Sequence, residues 1–335
     1  MRPIAEHQSI DRERFEREIV PRGEPAVLRG LVGGWPLVHA AKQGNDALAE
    51  FLRAFATDDP FDAWFGDPEF KGRIGYTDDF KGFNHDKRPT TIDALLDLLL
   101  RPDANAPSQS IYAGGVPVPQ HLPGLLRKIP IAVLEKSRPR MVSLWIGNRS
   151  RVAPHWDLLQ NLACVVAGRR RFTLFPTDQV ANLYVGPLDF TPAGQPISLV
   201  DVDAPDLDQY PRFEQALEAA QVAELGPGDV LYIPSLWWHS VASLDQFGAM
   251  INFWWSDAQP PLMTPRNALY LAVITMKNLP PKELAAWRSM FDHYVFDDNG
   301  DPAAHLPEQA RGVLGKRTPE LIARVKKLVV GALTR

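Results

Sequence analysis

The middle of the chain alternates short runs of β-forming residues with turn residues. Between about residues 139 and 256 the runs are rich in valine, isoleucine and aromatic residues, which is typical of strands in a sandwich or barrel. The pattern predicts a mainly β fold with helices, and jelly-roll barrels of the cupin type offer this layout. The predicted strands are Met141 to Gly147, Asn161 to Ala167, Arg171 to Phe175, Ile197 to Val202, Val230 to Ile233, Ser240 to Leu244 and Ala249 to Trp254.

Helical periodicity flanks this β-rich region on both sides. Asp46 to Phe55 and Thr91 to Leu100 each place apolar residues on one face, which predicts amphipathic helices. We therefore expect a helical cover before residue 139, with a loop region between residues 60 and 87 that has room for one strand. The whole arrangement predicts one domain over residues 1–256 and a separate helical region over residues 257–335.

The C-terminal region has its own helix signals. Thr264-Pro265 and Thr318-Pro319 each resemble an N-cap followed by a proline at the first helical position. The last predicted helix carries a continuous apolar stripe, which consists of Leu321, Ile322, Val325, Leu328 and Val329. This stripe either packs onto the barrel or meets its copy in a second chain, and the sequence leaves both possibilities open.

Composition narrows the class of protein. The chain has 335 residues and a formal net charge of −4, so we expect no nucleic acid or anionic membrane as a partner. Cys164 is the single cysteine, which excludes an intramolecular disulfide and a cysteine-built zinc site. Met1 to Ile19 contains no apolar core of a secretory signal, so the expected location is cytoplasmic.

The candidate chemistry lies in a His-x-Asp triplet and a later histidine. On an extended strand, residues i and i+2 point to the same side, so His155 and Asp157 can reach one ion. His239 follows a strand predicted at Val230 to Ile233. Two imidazoles and one carboxylate suit a non-haem Fe(II) site, because they leave coordination positions open for a co-substrate and dioxygen.

Two features around the triplet strengthen this interpretation. Gly226-Pro227-Gly228-Asp229 predicts a tight turn, since proline presets one turn dihedral and glycine permits a positive one. The long segment between Phe175 and Leu225 is rich in proline and aspartate and exceeds any hairpin connection. It therefore predicts an insertion near the mouth of a functional site.

Several motifs, taken in order, resemble the cupin-like JmjC hydroxylases, and most closely the branch typified by the asparagine hydroxylase that inhibits hypoxia-inducible factor. The similarity extends from Glu24 to about Trp255. The motifs are Pro154-His155-Trp156-Asp157, the run from Gly168 to Pro176, the run from Gly226 to Pro234, Trp237-Trp238-His239 and Asn252-Phe253-Trp254.

This resemblance implies a double-stranded β-helix with an N-terminal helical cover and C-terminal helices, and an oxygenase that uses Fe(II), 2-oxoglutarate and dioxygen. It would hydroxylate a C–H bond of a protein side chain, a peptide or a small molecule while 2-oxoglutarate is converted to succinate. On the family pattern His155, Asp157 and His239 hold the iron. The related hydroxylases pair through their C-terminal helices, so the resemblance also implies a homodimer.

The resemblance further implies which residues hold 2-oxoglutarate. Asn161 and Asn252 would lie near the carboxylate that chelates the metal. Tyr112 would contact the far carboxylate, and Trp254 would line the pocket. The family's lysine for that far carboxylate falls on Arg170, and arginine can hold a carboxylate through two parallel hydrogen bonds.

Two further positions depart from the family pattern. Val152 occupies the position of a threonine that assists the distal lysine. The polar pair that grips the target amide in the asparagine-hydroxylating branch falls on Pro196 and Ile197. The resemblance therefore does not imply that this chain acts on asparagine.

Two other functions remain open at the level of sequence. The first is a non-catalytic metal-binding cupin that binds a ligand or a protein and retains the metal site for structure. The second is a metal-dependent isomerase or another small-molecule oxygenase on the same barrel, because a fold does not determine a function. The paired asparagines and the inward cation at Arg170 favour an oxo-acid site over an isomerase.

Overall fold

The computed structural model describes residues 1–101, 109–134, 141–256 and 264–334. The chain forms two compact units, Met1–Ser256 and Asp257–Arg335. The first unit contains all the strands found in the described residues, and the second is helical. None of the described helices is both long enough and apolar enough to span a bilayer.

The strands of the first unit form two mixed sheets, which confirms the predicted mainly β fold. The smaller sheet has the order β1-β12-β11-β14-β9-β5, and the larger has the order β2-β3-β13-β10-β15-β8-β7-β4-β6. The strands are β1 Arg2–Pro3, β2 Ala5–Gln8, β3 Ala26–Arg29, β4 Phe61–Gly66, β5 Arg73–Ile74, β6 His85–Thr90, β7 Ser110–Pro117, β8 Met141–Gly147, β9 Arg151–His155, β10 Gln160–Ala167, β11 Arg170–Phe175, β12 Gln221–Leu225, β13 Val230–Ile233, β14 Trp238–Ser243 and β15 Gly248–Trp255.

Alternation along the central strands builds a core on each face of the larger sheet. Ala163 and Val165 of β10 belong to an apolar cluster between the sheets, together with Phe172 of β11. Leu162 and Cys164 point the other way, into a second cluster that includes the helices of the N-terminal region. The side-chain period of a strand therefore separates the barrel interior from its helical cover.

Helices cover the outer face of the larger sheet and form the second unit. The periodic segments predicted as helices are confirmed as α3 and α4, and the Thr91 hydroxyl accepts a hydrogen bond from the Ala94 N–H at the start of α4. The helices are α1 Arg12–Arg14, α2 Pro36–Gln43, α3 Asn45–Arg53, α4 Ile92–Leu99, α5 Val118–His121, α6 Phe213–Ala219, α7 Pro265–Met276, α8 Pro281–Tyr294 and α9 Pro319–Leu333.

The structure differs from the sequence prediction in two places. The region before residue 139 is not only a helical cover, because it also supplies β1 to β7. These strands lie toward the sheet edges, where pairing with other strands decides their conformation. Conversely, the predicted strand Ile197 to Val202 does not form, and only isolated bridges join Ile197 to His155 and Ser198 to Val185.

The helices of the second unit leave their apolar side chains accessible. No residue of α7, α8 or α9 is buried. At the start of α9 the Thr318 hydroxyl accepts a hydrogen bond from the Leu321 N–H, as predicted, whereas Thr264 makes no side-chain capping bond at α7. Leu328, in the predicted stripe, is 70% exposed.

We expect Gly168→Ala to lower the free energy of unfolding by about 2–4 kcal/mol, because it combines a left-handed backbone with a backbone clash. Gly168 has φ of +67°, and a Cβ there would lie 2.5 Å from the Phe247 carbonyl oxygen. Gly23 has a similar φ of +61° with no atom within 4 Å of the same position. Gly23→Ala is therefore the matched control, with an expected loss of about 1–2 kcal/mol. Urea unfolding of both variants measures the difference, and equal losses would contradict the role of the clash.

Candidate active site

Two histidines meet across neighbouring strands of the smaller sheet. β9 pairs antiparallel with β14, and the register places His155 opposite His239. Their ring centroids lie 4.2 Å apart. Sheet pairing thus brings together two residues that are far apart in sequence.

Both imidazoles are oriented by the backbone of their own strand. The Nδ1 atom of His155 lies 2.9 Å from the Ala153 carbonyl oxygen, and that of His239 lies 3.0 Å from the Trp237 carbonyl oxygen. A carbonyl can only accept, so each Nδ1 carries the proton and donates it. This tautomer leaves the Nε2 lone pair of each ring free to bind a metal.

Asp157 lies just beyond the end of β9, since the strand ends at His155. The prediction that both members of the triplet lie on one extended strand is therefore only half correct. The turn before β14 holds Asp157 in place instead: the Leu236 N–H donates to the Asp157 carbonyl oxygen at 2.8 Å, and the Ser235 hydroxyl donates to the Leu158 carbonyl oxygen at 2.9 Å. Leu236 adopts a left-handed φ of +67°, a conformation that costs energy in a non-glycine residue.

The three side chains suit a divalent ion. Their ligand atoms all lie within 4.8 Å of one another, and the His239 Nε2 lies 3.6 Å from the Asp157 Oδ2. Neighbouring ligand atoms with metal bonds of about 2.1 Å lie about 3–3.5 Å apart, so these three side chains can converge on one ion after small side-chain movements. Burial, and then the neighbouring His155, lower the pKa of His239 to about 4, which keeps this ring neutral and able to bind. Within the described residues, no other group of this kind occurs.

The interior also holds an arginine that has an unsatisfied side chain. Arg170 on β11 is 1% exposed, and its Nε and Nη2 atoms have no hydrogen-bond partner in the described part of the chain. Its neighbours point outward: Arg169 pairs with Asp245, and Arg171 pairs with Asp203. Because a buried guanidinium without a counter-ion is costly, Arg170 provides a position for an anionic ligand.

The remaining predicted residues surround the same interior. Asn161 and Asn252 are buried, and the Asn252 Nδ2 donates to the Asn161 Oδ1 at 2.9 Å, which leaves the Asn252 Oδ1 without a partner. Tyr112 and Trp254 are also buried and line a small pocket with the two histidines. Burial raises the pKa of Tyr112, and the positive charge of Arg170 opposes that shift. All eight predicted site residues therefore lie in or beside one barrel interior.

A larger cavity of about 460 Å³ opens above His155 and Asp157. Sequence reasoning missed three of its wall residues, Trp64, Trp145 and Gln195. The sequence contains a signal for Trp145, because strand alternation places it on the same face of β8 as Ser143. In the structure this face is the inner one, where Trp145 lies opposite Met250 and Ser143 lies opposite Asn252. Nothing in the sequence indicates Trp64 or Gln195, since each lies on a segment whose position depends on distant pairing.

The positions that depart from the hydroxylase pattern also lie at this cavity. Val152 and Ile197 line it, and Pro196 is buried beside Ile197. Pro192 and Ala193 contribute to its rim, so the segment between β11 and β12 does reach the mouth of the site. The polar amide grip of the asparagine-hydroxylating branch is absent from these positions.

The chain is similar in sequence to known proteins. The family model of the cupin-like domain matches residues 12–259. Lysine-specific demethylase JMJ31 of Arabidopsis thaliana is 33% identical over 143 residues, which cover 42% of this chain and 26% of the relative. tRNA wybutosine-synthesizing protein 5 of Mus musculus is 37% identical over 157 residues, which cover 47% of this chain and 43% of the relative. HSPB1-associated protein 1 of Homo sapiens is 34% identical over 151 residues, which cover 43% of this chain and 30% of the relative.

These relatives are matched over less than half of their own length, and the names of the first two describe different activities. The domain model covers most of the chain, and its matched residues 12–259 include all eight predicted site residues. The chain belongs to the cupin-like domain family.

Proposed function

We propose that the protein is an Fe(II)- and 2-oxoglutarate-dependent oxygenase that hydroxylates a C–H bond. The observation that carries this proposal is the combination, in one barrel interior, of the His155–Asp157–His239 group and the unpaired Arg170. A metal site alone fits many functions, but a buried cation beside it calls for an anionic ligand. A dicarboxylate that binds the metal at one end meets both requirements.

The three metal ligands have distinct parts in this function. His155 and His239 would offer neutral Nε2 atoms, and Asp157 would offer one negative charge. Three protein ligands on one side leave the other positions of Fe(II) open. When bound, Fe(II) with 2-oxoglutarate and dioxygen supplies the oxidising power for the hydroxylation, and 2-oxoglutarate leaves as succinate and carbon dioxide.

Interior polar groups would orient the co-substrate. Arg170 would hold the far carboxylate, with Tyr112 as a nearby hydrogen-bond donor whose raised pKa keeps it protonated. The free Asn252 Oδ1 and its partner Asn161 would face the metal-binding end of the molecule. Trp254 and Trp145 exclude water from the same space, which strengthens each of these charge interactions.

We expect Asp157→Ala to abolish both iron binding and the conversion of 2-oxoglutarate to succinate, because one of only three protein ligands is lost. Iron content and succinate are measured on folded wild-type and variant protein. Asp245→Ala, which removes an exposed partner of Arg169, is the control and should retain both properties. Wild-type protein that binds iron but forms no succinate would instead indicate a non-catalytic metal-binding cupin.

We expect Arg170→Met to weaken 2-oxoglutarate binding by about 2–4 kcal/mol, or about thirty- to a thousandfold, because a charge-assisted contact in a dry pocket is lost. Iron binding should be retained. Arg169→Met and Arg171→Met are matched controls, since both side chains pair outside the barrel, with Asp245 and Asp203. Calorimetric titration of 2-oxoglutarate into the three variants tests this, and equal affinities would contradict the proposed role of Arg170.

We also propose that the second unit mediates a homodimer. Its helices carry large exposed apolar side chains, among them Ile274 at 73%, Phe296 at 63% and Leu328 at 70%. Exposed apolar residues at this density on one small helical unit favour burial against another chain. A second copy of the same surface is the simplest partner, because closed twofold pairing is the commonest form of protein assembly.

Leu328→Arg should raise the dissociation constant of this dimer by about thirtyfold or more, since a charge would enter an apolar interface and central interface residues contribute about 2 kcal/mol. Light scattering over a dilution series measures the change. Val180→Arg is the control, because Val180 is similarly accessible but lies in the first unit. A wild-type monomer at micromolar concentration would refute the proposal.

A further inference from the structure

The cavity above the metal centre has an almost uncharged wall. Its lining includes Trp64, Trp145, Trp254, Ile74, Val152 and Ile197. Among the lining residues that the structure describes, Asp157 is the one carboxylate, and there is no lysine or arginine. A charged substrate group in this cavity would lose its hydration without gaining a partner of opposite charge.

The proposed metal ion and 2-oxoglutarate leave the site without net charge. The two charges of a divalent ion and the charge of Arg170 are matched by Asp157 and by the two carboxylates of 2-oxoglutarate. No net charge is left over to attract a cation or an anion into the cavity. This step rests on the proposed function, whereas the uncharged wall does not.

An aromatic wall can bind a cationic ammonium group, but the Trp64 ring already binds a cation, Lys87, which does not itself line this cavity. The Lys87 Nζ lies 5.2 Å from the centre of the Trp64 ring and donates a hydrogen bond to the Pro192 carbonyl oxygen at 3.2 Å. The same Trp64 ring stacks on His85, with centroids 4.8 Å apart. Trp64 is therefore engaged by Lys87 and His85, and Lys87 would repel a second cation at this ring.

Gln195 is the polar exception in the wall. Its side chain is partly exposed and makes no hydrogen bond within the described residues. An amide offers both a donor and an acceptor without carrying charge. It can therefore recognise a neutral polar atom, such as an amide, next to an apolar group.

We propose that the substrate presents an uncharged, mainly apolar group to the metal centre, and that Gln195 hydrogen-bonds a neutral polar atom beside this group. Two kinds of substrate fit this description. One is an aliphatic or aromatic side chain flanked by peptide amides, and the other is a small apolar molecule that carries an amide. In either case the cavity selects against lysine-like and carboxylate-bearing substrates. Gln195 is thus a residue that determines specificity.

Matched probes test the charge preference on the full-length protein. Ligand-observed NMR gives dissociation constants for N-acetyl-leucine amide, N-acetyl-lysine amide and N-acetyl-glutamate amide, with and without Mn(II). The neutral probe should bind roughly tenfold or more tightly than either charged probe, because only the charged probes lose hydration without compensation. A lysine probe that binds as tightly as the leucine probe would overturn the proposal.

Two neutral probes distinguish the possible sources of the ligand. A capped Gly-Leu-Gly peptide represents an apolar side chain between peptide amides, and cyclohexanecarboxamide represents a small apolar amide. Tighter binding of either one supports the proposal and identifies the source. If neither probe binds, the cavity does not serve as the site for an uncharged group.

Gln195→Glu tests the assigned residue without changing its size. The new carboxylate should reduce the preference for the leucine probe over the lysine probe by roughly tenfold, because it pairs with the cation. Gln215→Glu, an exposed change on α6 that lines neither the cavity nor the metal site, should leave the preference unchanged. An unchanged preference in Gln195→Glu would overturn the role of Gln195.

Succinate formation, measured separately, keeps the two proposals apart. Normal succinate formation without a preference for neutral probes would overturn only the substrate class. A clear preference for neutral probes in Fe(II)-loaded protein that forms no succinate would overturn the oxygenase and leave the uncharged binding site.

Discussion

The pairing of β9 with β14 is the interaction on which the candidate site depends. Its register sets His155 opposite His239, and the two backbone carbonyls behind them orient both rings. Because the side-chain period of a strand is two, a slip by one residue would send one histidine to the other face of the sheet. The turn before β14 also holds Asp157, so a single strand pair and its adjoining turn position all three side chains.

A second constraint comes from charge in the interior. A barrel of this kind is stable when its inner face is apolar, as it is at Phe172 and Met250. Arg170 and the Asn161–Asn252 pair break that rule in the same region, and several of their polar atoms lack partners. Unsatisfied buried groups reduce stability, so their concentration beside the three metal-binding side chains is consistent with a site built for a polar ligand.

The segments that decide specificity lie outside the regular barrel. The connection between β11 and β12 contributes Pro192, Ala193 and Gln195 to the rim of the cavity. The Lys87 side chain on β6 donates a hydrogen bond to the Pro192 carbonyl oxygen and so anchors this connection. Such connections vary more easily than the sheets that carry them. Two of the relatives are named for different activities, lysine demethylation and wybutosine synthesis, as expected where a shared fold does not fix the function.

The sequence by itself determined the features that depend on local physics. Strand alternation separated Arg170 from Arg169 and Arg171, and helical periodicity located α3 and α4. The turn from Gly226 to Asp229 formed as predicted, with the Asp229 N–H donating to the Gly226 carbonyl oxygen. Tertiary structure decided the rest. Pairing with other strands created the strands before residue 139 that lie toward the sheet edges. Tertiary structure also left Ile197 to Val202 without regular strand pairing and placed Asp157 beyond the end of β9. These outcomes depend on partners that are remote in sequence, and local propensity carries no information about such partners.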